Sequence, residues 1–306
     1  MKRATAAIAA GAGVALALVS GCGDAVRVYR GEPPHPSAAP IASAAPDPEP
    51  WRAKQPEPGK PGELSFPTPQ IVEFANGLKL YFTSRPAPVV TFSLCVRQGA
   101  SSVPAGKSGL SALTARMLTE GTKTRSSLEL AEAVEALGST LDSDASRDES
   151  RIGLSALGSD LDQALALLAE VVQRPAFNEK DFARVRGEWQ DSLLSERQDP
   201  PRLASLAGLR LLNGPVHGAP VRGSVPDVKA LTIRDLIDFH RRAYTPKNAA
   251  LIVVGELDAV QLKSAVEHHF GAWRGPAPVA PLPFDAPKPS DKLRVVLVDR
   301  PGAVQS

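Results

Sequence analysis

Histidine and cysteine are scarce in this 306-residue sequence, which contains five of the first and two of the second. Two cysteines give no basis for a disulfide framework. Five histidines leave few candidates for a metal site built on imidazole ligands, and this counts against such a site. The formal net charge of +2 gives no electrostatic reason to expect a nucleic-acid partner. The 43% of apolar residues is typical of a globular protein with one good core.

A long apolar run is also missing at the N-terminus. After a basic start, the run Ala4–Val19 is too short to indicate a membrane span, and small residues then precede Cys22. Residues 1–22 therefore predict a lipoprotein signal peptide, with Cys22 as the lipid anchor after cleavage. A plain secretory signal with an incidental cysteine is the alternative. Lipidation would place the protein in a bacterial cell envelope, and Gly23 in place of Asp favours the periplasmic face of the outer membrane.

Two proline-rich stretches flank the part of the sequence that has clear periodic patterns. Residues 23–68 cannot bury enough apolar surface to fold, so they predict an extended, disordered tether between the membrane and a globular domain. Residues 276–290 predict a second proline-rich linker, and residues 291–306 contain one further strand pattern. The globular domain is therefore expected over residues 69–275.

Periodic patterns predict alternating groups of strands and helices within residues 69–275. Two short apolar runs around Asn76-Gly77 predict a β-hairpin, and the alternation of Val90–Val96 predicts a strand with one buried face. On the more polar face of that strand lies Cys95, expected to be a partly buried free thiol. The further expected elements are helices over 126–137, 160–172, 178–198, 202–212, 231–244 and 258–273, and strands over 140–145, 151–157 and 249–255.

The most informative stretch is Gly109–Thr122, which predicts an amphipathic helix ending near Gly121. Positions 112, 115 and 116 project from one face of this helix. The same spacing is used by zinc helices, in which two imidazoles one turn apart lie beside a carboxylate base. Here the three positions are Ala112, Ala115 and Arg116. A methyl group cannot ligate a metal, and a guanidinium repels a divalent cation.

The frame around these positions resembles the zinc helix of the pitrilysin/insulinase metallopeptidases, which carry His-x-x-Glu-His inside it. The family's first His falls on Ala112, its Glu on Ala115 and its second His on Arg116. The resemblance therefore implies a member with vestigial catalytic positions and no metal site. It extends over about residues 69–306 through several further motifs, including Thr245-Pro246-x-Asn248 and Val253–Asp258.

The resemblance implies an α+β fold, with a mostly antiparallel sheet and helices packed on one face. It also implies that residues 291–306 are the first strand of a second, similar domain that is truncated here. In the complete family, two such halves close around an extended peptide, which adds as a strand to a sheet edge.

The family's remaining zinc ligand is a Glu on the helix expected over 178–198. By spacing from Arg116, it should fall near Ser192 or Leu193, with Glu188 and Glu196 about one turn away on either side. A carboxylate without the two histidines is expected to be solvated or ion-paired. Structural roles are also expected for the histidines of the domain: His217, His240 and the pair His268-His269, which point about 100° apart and make a poor chelate.

Three hypotheses about the function remain open on this basis. The leading hypothesis is a non-catalytic envelope lipoprotein that partners a sister peptidase subunit, with zinc expected only in that sister and extended peptides as the substrate. A stand-alone peptide-binding or structural lipoprotein is the alternative. An active zinc metallopeptidase would need about three protein ligands and a metal-activated water, and the sequence does not supply those ligands.

Overall fold

The computed structural model describes residues 66–277 continuously, together with 49, 54–55, 57–60, 62, 283 and 295–297. The chain divides into two compact units, Met1–Leu64 and Ser65–Ser306, and the helices and strands that the structure describes belong to the second. The predicted signal peptide with Cys22 lies outside the described residues. So do most of the proline-rich stretches and most of the strand expected over 291–306.

Six strands and eight helices make up the described part of the second unit. The strands are β1 (Gln70–Glu73), β2 (Lys79–Ser84), β3 (Val89–Val96), β4 (Asp142–Ala145), β5 (Ser150–Leu157) and β6 (Ala249–Gly255). The helices are α1 (Leu110–Met117), α2 (Ser127–Ala136), α3 (Leu161–Gln173), α4 (Glu179–Glu196), α5 (Pro200–His217), α6 (Val225–Ala230), α7 (Ile233–Ala243) and α8 (Ala259–Phe270).

The strands form one sheet in the order β1-β2-β6-β3-β5-β4. Neighbouring strands are antiparallel except β2 and β6, which pair in parallel. The predicted hairpin is β1–β2, and its turn is held by Asn76. The Oδ1 of Asn76 accepts a hydrogen bond from the Leu78 amide at 3.1 Å, and its Nδ2 donates to the Phe270 carbonyl oxygen at 2.8 Å. The mostly antiparallel α+β prediction is confirmed.

The core lies between one face of this sheet and the helices. On β3, Val90, Phe92, Leu94 and Val96 are buried, whereas Cys95 on the opposite face is partly exposed. Helix α3 faces the sheet with an almost continuous apolar stripe, and its residues at 161, 164, 165, 168 and 172 are buried. Each large apolar side chain buried in this way stabilises the fold by about 1.5–3 kcal/mol. The strand alternation and the helix periodicity therefore meet in one core.

Local capping signals set the starts of several helices. Ser126 accepts a hydrogen bond from the Glu129 amide, and the Glu129 carboxylate returns to Ser126, so α2 begins with a capping box. Thr232 and Asp235 do the same for α7. Asn178 caps α4 as predicted.

Two boundaries differ from the prediction. The helix expected over 202–212 lies within α5, which starts at Pro200 and is interrupted at Gly214, where φ is 75° and ψ −176°; a second short helical segment follows from Pro215 to His217. The stretch after Ser224, which lies outside the expected helices, forms the short helix α6: Ser224 caps it and Pro226 occupies its first turn, where no amide partner is needed. Among the described residues, no helix is both long enough and apolar enough to span a membrane.

Candidate functional site

The three positions that the resemblance predicts to be vestigial lie on α1. The Ala112 side chain is 5% exposed and Ala115 is fully buried. Arg116, in the last turn, keeps 36% of its side chain exposed. The two methyl groups therefore form part of the helix packing, and the guanidinium is the polar group of this face.

Arg116 is held by an ion-pair network that joins α1 to α4. Its guanidinium bonds Glu120 one turn later and the Thr119 hydroxyl. Glu120 is only 6% exposed, and its second carboxylate oxygen accepts from Arg184 of α4. Arg184 also bonds Glu188 at 3.0 Å, and both carboxylates raise the pKa of its guanidinium. Arg116 and Glu188 are thus two ends of one alternating chain of charges.

The region predicted to hold the third ligand is organised around Arg222, from the segment before α6. Arg222 pairs with Glu196, donates to the Ser192 hydroxyl at 3.0 Å and lies over the Trp189 ring at 4.6 Å. Glu196 pairs in addition with Arg202 at 3.4 Å. Burial lowers the pKa of the Arg222 guanidinium without discharging it. Both carboxylates that flank the predicted ligand position are therefore bound to arginines.

Zinc does not fit the side chains of this site. The two imidazoles and the carboxylate base of the motif would have to come from Ala112, Arg116 and Ala115. The remaining ligand would have to come from near Leu193, whose own side chain is buried and offers no donor. The carboxylates nearby, Glu120 among them, are already paired with guanidiniums. Within the described ranges, no group of three His, Cys, Asp or Glu side chains could hold a metal ion. We derive no metal-dependent step for this site.

The histidines singled out in the sequence lie elsewhere and take structural roles. His240 stacks on Tyr244 at 4.7 Å and its Nε2 bonds the Val172 carbonyl oxygen at 2.9 Å. Burial lowers the pKa of His240 to about 4, although the bond to Val172 opposes this. The Nε2 of His269 contacts Asp162 at 2.9 Å. His217 lies in the last turn of α5.

The Cys95 thiol is free and partly buried. Burial raises the pKa of Cys95 and outweighs the opposing effect of its hydrogen bond with Ser93. This thiol is therefore a weaker nucleophile than an exposed cysteine at neutral pH.

The end strand of the sheet offers an edge for another strand. Strand β4 pairs with β5 and comes last in the strand order, so its other side has no strand partner within the described sheet. It packs against α1, which carries the vestigial positions. Asp142 and Asp144 are exposed on it. An extended segment could pair with this edge through main-chain hydrogen bonds.

Sequence reasoning did not identify Glu120, Arg184 and Arg222 as parts of this site. The spacing of Glu120, four residues after Arg116 within the helix expected from the sequence, was a signal that could have identified the first pair, although in the structure Glu120 lies just after the end of α1. Arg184 and Arg222 come from distant segments, and no local pattern links them to α1.

Two models of one peptidase family match this chain. The model of insulinase (peptidase family M16) matches residues 80–203, and the model of the M16 inactive domain matches residues 230–305. An uncharacterized zinc protease of Mycobacterium tuberculosis is 30% identical over 218 residues, which cover 70% of this chain and 50% of that protein. The mitochondrial-processing peptidase subunit beta of Rattus norvegicus is 24% identical over 71% of this chain and 46% of its own length. The chain thus spans about half the length of the curated relatives it matches.

Solved structures agree with these matches. An M16 inactive domain from Pseudomonas fluorescens superposes with a TM-score of 0.66 at 25% identity, over 73% of this chain and 54% of that one. The first half of the periplasmic protease PqqL from Escherichia coli superposes with a TM-score of 0.65 at 20% identity, over 72% and 49% of the two chains. The two family models and the curated relatives show that the chain belongs to the insulinase-type M16 peptidase family, and the solved structures agree in fold.

Proposed function

We propose that this chain is a non-catalytic member of its family, a partner subunit for a zinc-bearing sister peptidase. The observation that carries the proposal is the replacement of all three motif positions by Ala112, Ala115 and Arg116, with the only polar side chain among them bound to Glu120. A water activated by zinc needs about three protein donors, and these positions supply none. Zinc is expected in the sister subunit alone.

A partner, rather than a stand-alone binder, is favoured by how the relatives are described. One relative is named as a subunit of mitochondrial-processing peptidase, and one neighbour is described as the first half of a periplasmic protease. The free edge of β4 is suited to an extended peptide held between this chain and such a sister. The substrate class is therefore an extended peptide.

We further propose that the protein works in the bacterial envelope, anchored by lipid on Cys22 at the periplasmic face of the outer membrane. Support comes from the signal-like residues 1–22, and one structural neighbour is described as periplasmic. The Cys22→Ser variant should be released into the soluble fraction of the cells. Cys95→Ser is the matched control, and its product should stay with the membrane.

The partner is tested by isolating the untagged protein from its own cells with an antibody and identifying what co-purifies by mass spectrometry. Recovery of a sister with an intact His-x-x-Glu-His in near-equal amount, with zinc and peptidase activity only in the pair, is the expected result. Isolation of this chain alone, without zinc or activity, would favour the stand-alone binding protein. Zinc at one equivalent and peptidase activity in the purified chain itself would refute the non-catalytic assignment.

A further inference from the structure

A pocket of about 520 Å³ opens on the helical side of the molecule, between the end of α3, helix α7 and the segment after α8. Four cationic side chains from four chain segments line it: Lys123, Arg174, Arg241 and Arg274. None of the vestigial positions lines this pocket, so it is a separate feature from the site on α1.

Positive charge in this pocket is not compensated within the described part of the chain. The lining contains no aspartate or glutamate. The described residues provide no carboxylate within ion-pair distance of Lys123, Arg174 or Arg241, whereas Arg116 and Arg125 each bind a glutamate. Four cations gathered in a concave surface raise the local potential and attract an anion.

The backbone around the pocket is fixed by hydrogen bonds. The Lys123 amide donates to the Arg174 carbonyl oxygen at 2.9 Å, within the bridge between Thr122 and Pro175, so two of the cations are neighbours on adjoining segments. The bond from His240 to the Val172 carbonyl ties α7, which carries Arg241, to the end of α3. The backbone that carries Lys123, Arg174 and Arg241 is therefore ordered before any ligand binds, which lowers the entropy cost of binding.

Aromatic side chains give the pocket an apolar part. Phe177, Tyr244 and Trp273 line it, and Tyr244 and Trp273 are buried there. The volume is within the range of about 300–1,000 Å³ that is typical of small-ligand sites. The pocket can thus hold a charged group and an attached ring or glycerol-sized moiety together.

We propose that this pocket binds a phosphate-bearing ligand with more than one negative charge. Arginine presents a planar fork of donors that matches phosphate oxygens in pairs, and three arginines with one lysine can balance two or more anionic charges. The phosphate can belong to a soluble phosphate monoester or to a phospholipid with a monoester headgroup such as phosphatidic acid, since both display the same three free oxygens.

Binding is measured on the full chain by calorimetry, with pyrophosphate and glycerol 3-phosphate as probes and citrate for comparison. The wild-type protein should bind pyrophosphate more tightly than citrate. Its affinity for pyrophosphate should fall at higher salt, because the contacts are ionic. Arg174→Gln and Arg241→Gln should each weaken pyrophosphate binding about tenfold. Arg242→Gln is the matched control: this neighbour on α7 is exposed, donates to the Asp238 carbonyl oxygen and lies outside the pocket lining.

Vesicles separate the two sources of phosphate. Binding to vesicles that contain phosphatidic acid, whose phosphate monoester carries up to two negative charges, but not to phosphatidylcholine vesicles, lost in Arg174→Gln and Arg241→Gln, would identify the lipid headgroup. Pyrophosphate binding without vesicle binding would identify a soluble ester. Absence of binding to both phosphate probes and to anionic vesicles would overturn the proposal, as would tighter binding of citrate or an equal loss in Arg242→Gln. Circular dichroism of each variant confirms that it is folded.

Discussion

His240 should make the stability of this protein fall as the pH is lowered from 7 towards 4. The ring is packed between Phe177, whose edge meets it with centroids 5.3 Å apart, and Tyr244. Burial lowers its pKa from 6.5 to about 4, and the bond to the Val172 carbonyl only partly opposes this. The nearby cations Arg174 and Arg241 add no stabilisation for an imidazolium, because like charges disfavour it.

The direction of this pH dependence follows from which state, folded or unfolded, binds the proton on His240. In the unfolded chain the imidazole takes up a proton as the pH falls through 6.5, whereas the folded protein excludes that proton until about pH 4. Protonation therefore favours the unfolded state between these two values. The loss is absent above pH 7 and grows to about 2–3 kcal/mol at pH 4.5, since each pKa unit is worth about 1.4 kcal/mol.

The assay is urea unfolding of the wild-type protein and of His240→Gln at pH 7.5, 6.0 and 4.5. The amide of Gln can still donate a hydrogen bond to the Val172 carbonyl oxygen but has no proton to gain. The variant is expected to be less stable than the wild type at pH 7.5, because the stacking on Tyr244 is lost, and the gap should narrow by about 2–3 kcal/mol at pH 4.5. His268→Gln, on the exposed side of α8, is the control and should follow the wild type. A constant gap between wild type and His240→Gln would refute the reasoning.

Three further changes test other parts of the fold. Glu120→Gln removes the carboxylate that lies between the guanidiniums of Arg116 and Arg184 and leaves Glu188 as the remaining partner of Arg184. The free energy of unfolding should fall by about 2 kcal/mol, since both arginines are partly in solvent; a change below about 0.5 kcal/mol in urea unfolding would contradict the network. Gly223→Ala should destabilise the protein by more than about 1 kcal/mol, measured as a lower Tm, because φ is +86° and the added Cβ would lie 2.4 Å from a backbone oxygen. Cys95, with its raised pKa, should react with iodoacetamide at pH 7.5 more slowly in the native protein than in urea, and equal rates would count against its burial.

Local patterns predicted most of the elements because the forces that define them are local. The hairpin around Asn76 and the helix start at Ser126 depend on side chains that bond their own neighbours in sequence. The buried stripe of α3 depends on a period that the sequence displays directly. The short helix after Ser224 was missed because six residues are too few to show that period, and only the cap and the proline mark it.

The arrangement of charges could not be predicted in this way. Arg184 and Arg222 are separated from α1 by many residues, and which carboxylate each arginine binds is decided by the packing of α4 and of the segment before α6. The four cations around the pocket come from four segments for the same reason. The sequence places Ala112, Ala115 and Arg116 where the resembled zinc helix carries two histidines and a glutamate, but the network that holds Arg116 emerges only when the chain is folded.

The side chains at the three motif positions take part in the packing and ion pairing of α1, so restoring one motif residue would not restore metal binding. Ala115 is fully buried, and a carboxylate placed there without a metal or a guanidinium would be desolvated at a cost of several kcal/mol. A histidine in place of Arg116 would leave Glu120 with Arg184 as its remaining partner. Zinc would then still need an imidazole at position 112 and a carboxylate on α4, where Glu196 is bound to Arg222, and its chemistry would need a base at position 115. Each intermediate step therefore loses existing interactions before a metal can compensate, because the present side chains already serve the packing of α1 and the ion pair with Glu120.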